Sequence, residues 1–313
     1  MKAIENNERI HKELADEKQS IPTNLDWRNK NGVNYVSPVD DQASCGSCYA
    51  FASAGLMESR VRVGTNNQQQ PLFSEQEMIT CGQDRTYNQG CAGGWDIFMA
   101  GMYGQDYGFV EEGCSDETSY SAFKKMVKFC EFYFSSNFAQ FPKDFVISNA
   151  LHNTNDYDNV ECPDTTGCQR WYTDKFQYLG GYFGATEYDG GKAMMLALQD
   201  GPLGVGFEVY TDFRSYKTGV YVHTGVSSEW NPIVPTNHAV LCVGYGTCGG
   251  NGDTLCGDDV PAGTPYFIGK NSWGTSFGQE GFFLILRGTN EAGWESMPFE
   301  ATPIIPLSGV HPL

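Results

Sequence analysis

Gln42-Ala43-Ser44-Cys45-Gly46-Ser47-Cys48-Tyr49-Ala50-Phe51-Ala52-Ser53-Ala54-Gly55-Leu56-Met57 is the stretch on which the reading of this chain turns. From Ala50 to Val63 it sets Phe51, Leu56, Val61 and Val63 among small residues, the pattern of a buried helix that ends at Gly64. Cys48 then falls at or next to the first turn. Unpaired backbone N–H groups and the positive end of the helix dipole favour a thiolate there, and a thiolate is the form that attacks a carbonyl carbon. It also needs a proton acceptor. Asn237-His238-Ala239, opening an apolar strand, supplies an imidazole, and Asn271-Ser272-Trp273-Gly274 supplies an amide that can hold the imidazole in one tautomer. An inert Cys48 thiol, or a Cys45–Cys48 redox pair, would leave His238 and Asn271 without a role.

Working outward, Pro202–Tyr210, Ala239–Tyr245, Tyr266–Ile268 and Phe282–Leu286 read as strands. A helix early and strands late predict an α+β molecule, a helical half packed on a β half with the active site in the cleft between them. Residues 1–20 read as a short polar helix or tail, because Ile21-Pro22 blocks further helix. The domain is expected over 21–313, and residues 121–160 fit neither half and read as an insertion.

The chain has 313 residues, enough to bury a sizeable core as one large domain or two small ones. Its net charge of −18 repels polyanions, which excludes nucleic acid as a partner. No window approaches the roughly 18 apolar residues of a membrane-spanning helix. Eleven cysteines point to an oxidising compartment, and the odd count leaves at least one thiol for chemistry. Against this, the start of the chain lacks a secretory apolar run and there is no Asn-x-Ser/Thr sequon, features that point instead to a cytoplasmic or cytoskeletal setting. No second Cys/His cluster shows ligand spacing, so no metal is expected. His152 and His223 read as surface residues, and the aromatic run Phe129–Phe145 as packing for the insertion.

Cys45-Gly46-Ser47-Cys48-Tyr49, Asn237-His238-Ala239 and Lys270-Asn271-Ser272-Trp273-Gly274 together resemble the papain-like cysteine proteases. His238 follows Cys48 by 190 residues, more than the usual separation of about 130–150, and the 121–160 insertion accounts for most of the excess. Ile21-Pro22, Gly108-Phe109-Val110-Glu111-Glu112, Phe207-Glu208-Val209-Tyr210 and Arg287-Gly288-Thr289 resemble the catalytic domain of the cathepsin C, or dipeptidyl peptidase I, branch. The resemblance implies a two-lobed fold with a helical left lobe and a β-barrel-like right lobe. It implies Cys48 as nucleophile, His238 as general acid/base, Asn271 as its orienting amide, and Gln42 with the Cys48 N–H as oxyanion hole. Gly93, Gly94 and Trp95 would meet the substrate backbone, and Trp273 would shield His238–Asn271. The implied disulfides are Cys45–Cys91, Cys81–Cys162 and Cys114–Cys168. Cys248 and Cys256 can close locally, while Cys130 and Cys242 stay unassigned.

The branch removes dipeptides because a separate exclusion domain blocks the cleft, and residues 1–20 are too short to form one. An exclusion domain supplied by another chain, a larger assembly, a homo-oligomer and an open-cleft endopeptidase all stay open, as does a peptidase fold serving as a non-catalytic scaffold. The branch also binds chloride, through a backbone N–H and two tyrosine hydroxyls. Trp95 and Tyr178 match that site, but Ile97 stands at the other tyrosine position and Asp96 adds a negative charge, so no cofactor is expected. By resemblance the protein is lysosomal or secreted and acts on peptides or proteins.

Overall fold

Cys48–Gly64 form one helix, α1, in a computed structural model that describes residues 21–86, 88–114, 162, 164–179, 191–225, 236–250 and 254–305. The polar tail, the 121–160 insertion, Cys130, His152 and the aromatic run lie outside the described residues. Every residue of α1 from Tyr49 to Arg62 is buried. Its small residues let neighbours approach on all sides, so it has no solvent face to demand polar residues. Its charged side chains are therefore used internally. Glu58 Oε1 accepts the Phe73 N–H at 2.7 Å, and Arg60 donates to the Pro202 carbonyl at 2.9 Å and lies 3.3 Å from Glu300.

Helix α2, Glu75–Arg85, starts at Ser74, whose hydroxyl accepts the Glu77 N–H at 3.2 Å. A π-helical turn over Phe98–Tyr103 packs beside α1. Two short strands, β2 (Phe109–Val110) and β3 (Arg170–Trp171), pair antiparallel beyond α2.

The other half is one sheet. In spatial order it runs β4 (Thr173–Tyr178), β10 (Phe299–Pro303), β5 (Leu203–Phe207), β7 (His238–Thr247), β8 (Pro265–Lys270), β9 (Phe282–Leu286) and β6 (Val220–Tyr221), with β1 (Leu25–Asp26) also on β7. All pairs are antiparallel except β6–β9. The sheet is α+β in company with the helices, as expected, but it is open: its described edges are β4 and β6, and β4 packs on the π turn of the helical half instead of closing a barrel. Early sequence also joins the late sheet, since Leu25 pairs with Tyr245.

Phe207, Phe213, Phe283 and Trp294 fill the core under the sheet, with ring centroids 4.9–5.8 Å apart. Gly204 must be glycine because a Cβ there would sit 1.9 Å from the Phe299 ring on β10. This crowding brings β10 against β5 and sets the sheet face on which α1 lies. The first residue of α1 thereby meets the second residue of β7, Ala239, across the boundary of the two halves.

Candidate active site

Cys48 opens α1 and is half-buried, with its sulfur unpaired. The first turn of α1 carries no acidic residue to neutralise the dipole, and the N-cap Ser47 makes no side-chain cap. The thiol also meets the N–H of Ala239, the residue next to His238 in β7, and the N–H groups of Tyr49 and Cys48 itself. These donors pull its pKa down, but burial is the larger effect and, with the Asp96 carboxylate nearby, pushes it up to about 11. Burial likewise pulls His238 down to about 4, with the Asn271 hydrogen bond opposing it and Arg214 adding to it. Each group alone is thus held neutral.

His238 Nε2 lies 2.8 Å from Asn271 Oδ1. The same oxygen accepts the Ser272 N–H at 2.9 Å, which fixes which end of the amide is oxygen. An acceptor facing Nε2 forces the proton onto Nε2, so Nδ1 is the free base. The indole of Trp273 covers this pair, its centroid 4.9 Å from the imidazole, and is itself held edge-on by Phe213 at 5.8 Å.

Gln42 is buried and clamped. Its Oε1 accepts from Ser272 Oγ at 2.6 Å, its backbone N–H donates to the Ser272 carbonyl at 2.9 Å, and its Nε2 donates to the Cys45 carbonyl at 2.8 Å. One amide hydrogen is left over beside the start of α1. Sequence reasoning missed the part of Ser272, which holds both Gln42 and Asn271. Its place between Asn271 and Trp273 was the only signal.

The opposite wall is Gly93-Gly94-Trp95-Asp96-Ile97. Gly93 has φ +121° and open space around it, and Trp95 is exposed. Asn88, also missed, accepts the Trp95 N–H at 2.6 Å and pins this wall. Asp96 and Ile97 are buried. One Asp96 oxygen accepts the Ile97 N–H at 2.8 Å, and burial pushes the carboxyl up to about 7.

Among the described residues four disulfides form, Cys45–Cys91, Cys81–Cys162, Cys114–Cys168 and Cys248–Cys256. The first ties the Gln42–Cys48 loop to the Gly93 wall, helped by the Gly46 N–H donated to the Cys91 carbonyl at 3.0 Å. Cys242 is a buried thiol within β7. Glu77, Cys81 and Cys162 place ligand-type atoms within 4.8 Å of one another, but the two sulfurs are bonded to each other and offer no thiolate. His223 is half-buried, stacked on Tyr210 at 3.7 Å and bonded to Asp212 at 3.1 Å. Among the described residues no helix is long and apolar enough to cross a membrane.

A family model, papain family cysteine protease, matches residues 21–302, and the chain belongs to that family. Cathepsin C of Schistosoma mansoni is 35% identical over 309 residues, covering 97% of this chain but only 56% of its own length. Cathepsin B-like cysteine proteinase 5 of Caenorhabditis elegans is 30% identical, over 91% of this chain and 75% of its own. Digestive procathepsin L 3 of Tenebrio molitor larval midgut superimposes with a TM-score of 0.60 at 23% identity, over 91% of this chain and 71% of that one, a likeness of fold.

Proposed function

We propose that this chain is the catalytic part of a cysteine peptidase that releases dipeptides from peptide or protein substrates. The observation that carries the reading is the His238–Asn271 hydrogen bond of 2.8 Å at the start of β7, set beside a thiol that opens α1 and meets the Ala239 N–H. In this reading Cys48 Sγ attacks the scissile carbonyl carbon and its proton passes to His238 Nδ1. The developing oxyanion accepts from the spare Gln42 amide hydrogen and the Cys48 N–H. His238 then protonates the leaving amine, and water, giving up a proton to His238, cleaves the thioester and frees Cys48.

Dipeptide release rests on the likeness to cathepsin C of Schistosoma mansoni. The reading includes no chloride. Trp95 has already given its N–H to Asn88, Ile97 has no hydroxyl, and the Tyr178 phenol, whose pKa burial and then the nearby Asp96 carboxylate raise, has a like charge close to the one hydroxyl that remains, so these residues do not fit an anion. Four disulfides favour an oxidising setting, lysosomal or secreted.

The test is labelling of the native protein with an irreversible thiol-directed dipeptidyl probe, read by mass spectrometry, followed by product analysis on a decapeptide. Modification confined to Cys48, absent from Cys48→Ala, with products stepping down two residues at a time, supports the reading. Labelling with internal cuts makes the chain an endopeptidase, and no labelling of folded protein overturns the peptidase reading.

A further inference from the structure

The chain between β5 and β6 carries a cation to the rim of the catalytic pair. A short turn of helix there, Phe213–Ser215, is capped by Asp212, which accepts the Phe213 N–H at 3.0 Å, and is anchored by Phe213, buried against Phe207, Phe283 and Trp273 at 4.9–5.8 Å. Arg214 starts from this fixed turn. It is exposed, and its guanidinium stands 5.9 Å from the centroid of the Trp273 indole. The same indole lies over His238 at 4.9 Å, and His238, whose pKa burial lowers most, also feels the Arg214 charge. Among the described residues Arg214 has no hydrogen bond or ion pair. The acid nearest in the chain, Asp212, is taken up by Tyr221, His223 and Thr224 at 2.9–3.1 Å.

We infer that Arg214 is a specificity-determining residue that binds a carboxylate on the leaving-group side of the scissile bond, carried by an acidic side chain or by the substrate's own carboxyl terminus. The inference rests on the peptidase reading above. In that reading His238 protonates the leaving amine, so the substrate beyond the broken bond runs past His238 and its Trp273 cover, opposite the Gly93–Trp95 wall. The separations of 4.9 Å from imidazole to indole and 5.9 Å from indole to guanidinium, laid end to end, keep Arg214 within about three extended residues of His238, at ~3.3–3.6 Å per residue. Each dipeptide released brings the terminal carboxylate two residues nearer, and in a tetrapeptide it falls within that reach. The planar guanidinium meets a carboxylate with two parallel N–H bonds, and contact with the indole restrains the side chain without using those donors. The net charge of −18 repels acidic peptides at long range, and a cation at the rim offsets that repulsion where the substrate binds. Because Arg214 is exposed, water and salt compete for it, so the preference is moderate and salt-sensitive.

The experiment measures kcat/KM by product analysis on matched peptides, in the native chain and in Arg214→Gln, with concentrations set by titration of Cys48. One set is amidated hexapeptides with Glu or Gln at the first, second or third residue past the cleaved bond. The other is a tetrapeptide with its carboxyl terminus free or amidated. The expected result is a preference for the carboxylate member of roughly threefold to fivefold in at least one set, falling to near parity in Arg214→Gln. Ratios within a pair cancel any general change that the variant makes to His238. In the native chain alone, the same ratio shrinks toward parity as salt is raised to about 0.5 M, a measurement that holds should the variant not fold. A preference in the hexapeptides supports the inference with a side chain as the source, and one in the tetrapeptide supports it with the terminus as the source. No preference in either set, or one that Arg214→Gln or salt leaves intact, overturns the inference and leaves the peptidase reading standing. Failure to cleave any of these peptides overturns both.

Discussion

The two walls of the cleft are built by different means. The His238–Asn271 wall is regular: β7 pairs with β5 from Cys242 opposite Leu203 to His238 opposite Phe207, and Asn271 directly follows β8, which pairs with β7 up to Lys270 opposite Leu241, so the imidazole lies in a backbone ladder and its amide at the end of one, with aromatic rings packed beneath. The Gly93–Ile97 wall has no such ladder. It is irregular chain over Gly93–Trp95 that runs into a helical turn at Asp96, and it is fixed by the Cys45–Cys91 disulfide, by Asn88 and by the Ser53 hydroxyl. A ladder constrains every residue in it, whereas a stretch tied at a few points lets side chains change between the ties. In the proposed mechanism His238 and Asn271 sit on the first kind of scaffold, Cys48 opens α1, and the residues proposed to meet the variable part of a substrate sit on the second.

The largest effect that tests this division comes from the regular wall. Asn271→Ala removes the acceptor that sets the His238 tautomer and lowers kcat by roughly 10²-fold with a smaller change in KM, measurable by steady-state kinetics against titrated Cys48. An equal rise in KM with kcat kept would show that the ladder alone orients the ring. Next in size, Cys45→Ser with Cys91→Ser loosens the irregular wall and costs about 2–4 kcal/mol in denaturant unfolding, with binding of the dipeptidyl probe weakened more than the reactivity of the thiol. Equal stability with and without the bond would mean that the hydrogen bonds suffice.

The smallest effect is a pH dependence. The folded-state carboxyl of Asp96 is raised to about 7 by burial, above the unfolded value of 3.8. Between those values the folded state binds the extra proton, so its stability is full below about pH 4 and is lost as pH rises through 7. Asp96→Asn removes that loss. Its Tm should exceed that of the native chain by roughly 3–8 °C at pH 8 and match it at pH 4, by differential scanning fluorimetry across pH. A difference that does not change with pH would place the Asp96 carboxyl in water.

Much of the reacting centre was legible because it is carried by short segments. A helix of small residues, an Asn-His pair opening an apolar strand and an Asn-Ser-Trp-Gly turn each declare themselves within a few residues. Helix α2 was not read, although Ser74 followed by Glu77 is a start signal, because glycine and cysteine around it suggested loop. Strands β4 and β10 were missed for a different reason. Thr173–Tyr178 carries polar residues on an edge, and Phe299–Pro303 is held by its register with Gly204 and Tyr178, partners far away in the chain. The openness of the sheet followed from the same long-range pairing. Asp96 read as a charge beside the cleft, but its complete burial was hidden, since carboxylates are rarely interred without a partner.

Helix α1 is enclosed on every side, with Arg60 reaching Pro202 and Glu300 on one flank and Arg62 reaching the Val36 carbonyl on another. It belongs to both halves at once, like a shared beam between two rooms. Prising the halves apart would break those guanidinium contacts and expose the apolar surface buried around α1, which opposes a hinge between them. Accommodation of substrates of different bulk must therefore come from shifts in the loops that rim the groove, and a rigid clam-shell movement is closed to this molecule.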